Sequence, residues 1–321
     1  MDNANARHVD VSAIPVIDVA ALSQGGKAER AVGLEMLHAA EGIGFFYIRN
    51  CAIPQTLIAQ VFDMSRQFFA ASPEEKARVA VNAGHRGFIR VGEAKMSDKA
   101  QPDLKESFIW GLDVPGPDGI PPNQWPDFLP GMRKVLTDFF ATGNAVGWHL
   151  LRAVAAALDL DPESFVHTID RPISRGSIIY YPEQPAGPQP ERFGVSSHTD
   201  YGCLTLLYQD DAGGLQVQGR SGEWLAAPPI AGTFVVNVGD LLARWSNDRF
   251  RSTPHRVINR SGRTRYSTAL FVDPNRDTMI TPVTRPGEEA RYPPVTCGEY
   301  LRSRLDAAFD YRKRAAEQAP A

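Results

Sequence analysis

Hydrophobic and polar positions change their rhythm about halfway along the chain. In the first half, Ala31, Leu34 and Leu37, with His38, recur at helical spacing across Lys27 to Glu41. Gly42 and Gly44 end that helix, and "FFYIRN" follows as a strand. Pro54 opens a second helix to about Ala70. The "SPEEK" segment has an N-cap serine, Ser72, with acidic residues in the first turn. Gly84 to Ser97 reads as irregular and basic, and the proline cluster from Pro115 to Pro130 reads as a loop. The spacing of Phe139, Phe140, Val146, Leu150, Leu151 and Val154 predicts a long helix over about Gly131 to Leu158.

From Ile173 the chain breaks into short apolar runs punctuated by Gly, Pro, Asn and Asp. These include "SIIYYPEQP", "CLTLLYQ", "GLQVQ", "EWLAAPP", "TFVVNVGDLLARW", "HRVINR" and "RYSTALFVDP". They predict the strands of a sandwich or barrel. A charged helix closes the chain. Without a linker-like stretch between the halves, the reading is one α+β unit. Its parts are a disordered tail (1–13), a mixed helical region packed on the core (14–170), a β-rich core (171–280) and a C-terminal helix and tail (281–321).

Composition narrows the function classes. A formal charge of -3 lacks the basic footprint of a nucleic-acid binder. No apolar run approaches the roughly 20 residues of a membrane span, and the polar N-terminus shows no secretory signal. Cys51, Cys203 and Cys297 are odd in number and widely spaced, so they fit neither a disulfide framework nor a zinc ribbon. Free thiols in a cytoplasmic protein are the simplest reading. Nucleotide-binding glycine patterns are absent.

Candidate chemistry lies in "SHTDYGCLTLLYQ". Strand alternation puts residues i and i+2 on one face, so His198 and Asp200 project together. An imidazole and a carboxylate, joined by a second histidine, make the open donor set of a non-haem Fe(II) oxygenase, although zinc accepts the same set. His8 lies in the tail, His38, His149 and His167 in helical texture, and His85 in a loop. Only His255 heads another apolar strand, which makes it the third ligand. A Ser-His-Asp hydrolase is disfavoured, because Ser197 points away from its neighbour His198 and no G-x-S-x-G occurs. "INRSGRTRYS" reads as a hairpin turning on Arg260, Ser261 and Gly262, with Gly262 taking the left-handed position. That register pairs His255 with Ser267 and Val257 with Arg265, turning Arg265 and Ser267 into the same cavity. A buried arginine calls for an anion, and a carboxylate suits its planar fork.

With these residues in order, the sequence resembles the isopenicillin N synthase-like family of Fe(II)/2-oxoglutarate-dependent dioxygenases. H-x-D (His198, Asp200), the distal His255 and R-x-S (Arg265, Ser267) carry the resemblance. "IPVIDVAAL", "GFFYIRNCAIP", "DLKESFIWG" and "VVNVGDLLARWSNDRFRSTPHRV" extend it over about residues 14 to 305. It implies a double-stranded β-helix (jelly-roll) core wrapped by N-terminal and C-terminal helices. It also implies iron on His198, Asp200 and His255, with the distal carboxylate of 2-oxoglutarate on Arg265, Ser267 and Tyr181. Ile179 replaces an asparagine common in plant members, and Asn50-Cys51-Ala52 departs from their usual turn. The implied reaction takes O2, releases succinate and CO2, and oxidises a small molecule by hydroxylation, desaturation or ring closure. Same-fold oxidases that need no 2-oxoglutarate, ethylene-forming relatives and a non-catalytic metal-binding jelly roll stay open. Arg86 and Phe88 fall where the family has its substrate mouth. Phe108, Trp110 and Phe271 are candidates for an apolar pocket wall or for core.

Overall fold

A computed structural model describes residues 14–93, 103–114, 120–165, 169–184 and 193–309. The predicted N-terminal tail, His8, His167 and the end of the C-terminal tail lie outside them. In chain order the elements are β1 (Val16–Asp18), α1 (Gly26–Gly42), β2 (Phe45–Arg49), α2 (Gln55–Ala70), α3 (Pro73–Ala77), β3 (Gly87–Ile89), β4 (Glu106–Gly111) and α4 (Gly131–Ala157). There follow β5 (Arg175–Tyr181), β6 (Val195–His198), β7 (Leu204–Gln209), β8 (Leu215–Gln218), β9 (Trp224–Ala226), β10 (Phe234–Val238), α5 (Asp240–Trp245), β11 (His255–Val257) and β12 (Arg265–Val272). A short β13 (Met279–Ile280) and β14 (Val295–Thr296) pair precedes α6 (Cys297–Ala308).

The helices follow their sequence cues closely. Ser72 caps α3 through a full capping box with Glu75, and Thr296 does the same for α6 with Glu299. The long α4 reaches the sheet through two glycines. A Cβ at Gly143 would stand 2.6 Å from Leu270 Cδ2, and one at Gly147 would stand 2.7 Å from Val272 Cγ2. Bare backbone at these two positions lets the helix lie directly on β12.

Eight strands form the large sheet in the order β1-β2-β10-β7-β12-β5-β4-β3, and four form the small sheet in the order β6-β11-β8-β9. Together they make the jelly-roll core. Alternation gives the large sheet two apolar faces. Phe46, Ile48, Phe108, Trp110, Ile178, Leu206, Val236, Leu270 and Val272 join the helices in one cluster. Phe45, Tyr47, Ile179, Tyr181 and Val235 meet Val195, Leu215, Val217 and Val257 of the small sheet in another. The functional cavity lies within this second, inter-sheet layer.

Three local expectations are corrected. "TFVVNVGDLLARW" is not one strand, because β10 ends at Val238 and α5 begins at Asp240. Leu241, Leu242 and Trp245 bury at helical spacing there. The irregular stretch after Gly84 contains β3, which pairs with β4. The predicted β11–β12 hairpin is absent. Both edges of β11 are taken, by β6 and β8, while β12 pairs with β5 and β7 in the other sheet. Gly262 does turn left-handed, at φ 69°, but the turn carries the chain between sheets. Asn259 Nδ2 braces it by donating to the Arg263 carbonyl at 2.8 Å.

Candidate metal centre and anion pocket

His198 ends β6 directly opposite His255 of β11. Each imidazole meets a backbone carbonyl through Nδ1, Ser196 at 2.8 Å for His198 and Thr253 at 3.1 Å for His255. A carbonyl only accepts, so each Nδ1 carries the proton and each Nε2 keeps its lone pair. The two Nε2 atoms lie 3.7 and 3.8 Å from Asp200 Oδ1. All three ligand atoms fall within 4.8 Å of one another, a spread that an ion bonded to each at about 2.0–2.2 Å can bridge.

Asp200 reaches this point differently from the sequence reading. It lies beyond β6, in the turn that crosses to β7, not on a strand with His198. The start of α5 clamps that turn. Asp240 N donates to the Asp200 carbonyl at 2.7 Å, and Gly239 N donates to Cys203 O at 2.9 Å. Asp200 Oδ2 accepts from Thr205 Oγ1 at 2.5 Å and Asn237 Nδ2 at 2.8 Å, which leaves Oδ1 for the imidazoles. Sequence reading missed both supports, although Asn237 is a legible signal as the one amide in the fully buried run "FVVNV".

Burial, reinforced by the neighbouring His255, pushes the His198 imidazole down to about 3, so it is neutral at physiological pH. Burial alone would raise the Asp200 carboxyl. The two imidazoles and the hydrogen bonds from Asn237 and Thr205 outweigh it and bring the carboxyl below its ordinary range. Two imidazole nitrogens and one carboxylate oxygen thus converge, each side chain oriented by hydrogen bonds at its other polar atom.

Arg265 enters the same cavity from β12 and is fully buried. Its Nε donates to Gly213 O at 2.5 Å, Nη2 to Gln209 Oε1 at 3.1 Å and Nη1 to Ser267 Oγ at 3.3 Å. The guanidinium lies 4.5 Å from the Tyr181 ring centroid. Every one of these partners is neutral; the Asp210 carboxylate feels the Arg265 charge, but among the described residues no carboxylate forms an ion pair with it within 4 Å. A full charge buried without a counter-ion is costly, so the pocket has the character of an anion site. The missing hairpin does not alter this placement. Arg265, Ser267, Ala269 and Phe271 share the inward face of β12, whichever strands flank it.

The cavity holds about 150 Å³, and its wall includes the triad, Arg265, Tyr181, Arg175, Phe271, Ile109 and Leu207. Of the sequence candidates for substrate contact, Phe271 lines it. Phe88 and Phe108 do not: they sit opposite each other on β3 and β4 and point into the helix-facing core. Trp110 is core as well, its Nε1 donating to Leu136 O at 3.1 Å. Arg86 is buried beside an adjoining pocket, not in the wall that faces the triad. Cys51, Cys203 and Cys297 are free thiols, and burial raises the latter two well above the usual range.

Comparison with known proteins gives the family of the chain. Residues 176–274 match the 2OG-Fe(II) oxygenase superfamily, and residues 14–128 match the N-terminal family of non-haem dioxygenases in morphine synthesis. The chain is 32% identical to the 2-oxoglutarate-Fe(II) type oxidoreductase hxnY of Emericella nidulans, over 97% of this chain and 95% of that one. It is 35% identical to a homoarginine-6-hydroxylase of Oryza sativa, over 91% and 96%. The crystal structure of a full-length Neurospora crassa protein in complex with alpha-KG and thymine superimposes with a TM-score of 0.84 at 32% identity, over 94% and 99%. The chain belongs to the 2OG-Fe(II) oxygenase superfamily. It is an oxidoreductase that uses Fe(II) and 2-oxoglutarate.

Proposed function

We propose that His198, Asp200 and His255 hold the iron, and that Arg265, Ser267 and Tyr181 hold the distal carboxylate of 2-oxoglutarate. The observation that carries this reading is the fully buried Arg265, hydrogen-bonded only to neutral groups, on the same cavity as the triad. A dicarboxylate meets both needs, one end at the metal and the other on the guanidinium. When bound, the iron supplies activation of O2, coupled to conversion of 2-oxoglutarate to succinate and CO2.

The chain's own residues orient and exclude. Nδ1–H bonds fix both imidazoles, Asn237 and Thr205 hold the carboxylate, and Tyr181 covers the guanidinium face. Apolar walls including Ile109, Leu207 and Phe271 keep bulk water from the reacting carbon. The oxidised substrate is a small molecule. Curated relatives named for homoarginine and proline hydroxylation, and the Neurospora crassa complex with thymine, support that size class.

The N-terminal segment and the β-rich core act as one unit in this reading, because β1 to β4 join the same sheet as β5, β7, β10 and β12. No described helix is long and apolar enough to cross a membrane. A cytoplasmic setting without nucleic-acid partners accords with three unpaired thiols and the slightly negative charge. The test is anaerobic Fe(II) reconstitution, followed by a small-molecule library screened for accelerated succinate formation. One iron per chain and substrate-stimulated succinate are expected. Iron uptake with no 2-oxoglutarate turnover for any compound would count against the reading.

A further inference from the structure

A second arginine enters the cavity, and the metal and co-substrate leave it unused. Arg175 begins β5, with Phe271 and Gly111 as its cross-strand neighbours. Tyr181, at the other end of β5, faces Arg265. Six residues of strand span about 20 Å, so the inward face carries one guanidinium near each end. Arg175 is buried, with only 10% of its side chain exposed, and it lines the cavity wall.

Its donors are poorly used. Nε is buried and meets no acceptor, and among the described residues the one ion pair, with Asp273, stands open at 3.7 Å. Asp273 Oδ2 likewise accepts no hydrogen bond. The Phe271 ring, 5.3 Å from the guanidinium carbon, packs beside it. A second guanidinium lies nearby: a Cβ at Gly111 would collide with Arg86 Nη2, so Arg86 occupies the space beside Arg175's cross-strand neighbour. Arg175 also borders an adjoining pocket of about 530 Å³. Arg86, Arg171, Arg276 and Arg302 line that pocket against two carboxylates, Asp170 and Asp277. Among the described lining residues, five arginines against two aspartates favour entry of an anion.

We infer that the oxidised substrate carries a carboxylate, and that Arg175 binds it as the specificity-determining residue of the cavity. The inference rests on the proposed function, which puts the carbon to be oxidised near the triad. A carboxylate takes up a guanidinium fork in two parallel hydrogen bonds and satisfies donors that the protein leaves open. Phe271, beside Arg175 on the same inward face, is placed to contact the apolar body of such a molecule. Lys105, the third cation on the wall, is paired with Asp103 at 3.2 Å; with Arg265 committed to the co-substrate, the two arginines divide the cavity between two acids.

The experiment loads the protein anaerobically with Fe(II) and saturating 2-oxoglutarate. Benzoate, phenylacetate and phenylpropionate are then compared with their amides by equilibrium dialysis. At least one acid should bind about ten- to a hundred-fold more tightly than its amide, the range expected for a charge-assisted contact. Arg175→Gln should erase that margin with 2-oxoglutarate affinity unchanged, and Arg175→Lys should keep part of it. A set in which no acid outbinds its amide overturns the inference, as does a margin that survives Arg175→Gln. The wild-type comparison needs no variant, so a misfolded variant does not decide the result. A preserved margin together with unaltered 2-oxoglutarate binding in Arg265→Ala would overturn the co-substrate assignment instead.

Discussion

Arg265 and Tyr181 face each other across β12 and β5, with the guanidinium carbon 4.5 Å from the ring centroid. The ring packs against the guanidinium while Gly213, Gln209 and Ser267 take hydrogen bonds from it. Arg265→Ala should therefore lower 2-oxoglutarate affinity about ten- to a hundred-fold, from loss of roughly 1.5–3 kcal/mol. Iron affinity should hold. Ser267→Ala should cost less, and Arg265→Lys should recover only part, because an ammonium lacks the planar fork. Co-substrate titration of each metal-loaded variant measures this, and unchanged affinity in Arg265→Ala would refute the assignment.

At the metal, His255→Ala should abolish iron retention without unfolding the protein. Asn237→Ala is the sharper test. It frees Asp200 Oδ2 from one of its two donors and should weaken metal binding about ten- to a hundred-fold, as loss of outer-shell partners does. Metal titration against a competing chelator reads both. Wild-type affinity in Asn237→Ala would show that Thr205 alone orients the carboxylate.

Acid stability of the metal-free protein should depend on His198. Its folded value of about 3 lies below the ordinary 6.5, so the unfolded chain binds a proton that the native state refuses. The corresponding stability is present in full above about pH 6.5 and is lost as pH falls towards 3. Urea midpoints of chelator-treated protein should drop between pH 7.5 and 5, and His198→Gln should flatten part of that drop. Equal slopes in both proteins would contradict it.

Gly33 is a packing requirement of the α1–α4 contact. A Cβ there would collide with the Ala153 backbone carbonyl, which cannot swing aside as a side chain can. Gly33→Ala should destabilise by about 1–3 kcal/mol, despite a helix-propensity gain of up to about 1 kcal/mol. Gly42→Ala, at a position open to solvent, should be neutral or stabilising. Thermal melting of the two variants side by side distinguishes clash from propensity.

The chain's local patterns determined much of this molecule. The bounds of α1, α2 and α4, the Ser72 cap and the types of the ligand residues depend on neighbours a few positions apart. Those spacings are written in the sequence. Tertiary structure alone decided the rest. Whether β11 pairs with β12 depends on which strands already hold its edges, and β6 and β8 come from distant segments. Alternation shows that β4 has two faces, but both are apolar, so it cannot say whether Phe108 or Ile109 looks into the cavity. The helices resolve that by covering the Phe108 side. Arg175 bears no local mark of function either. Its place opposite Phe271, at the far end of a strand from Tyr181, exists only once β5 and β12 are in register. Period-two alternation distinguishes odd from even, and only packing decides which of them is inside.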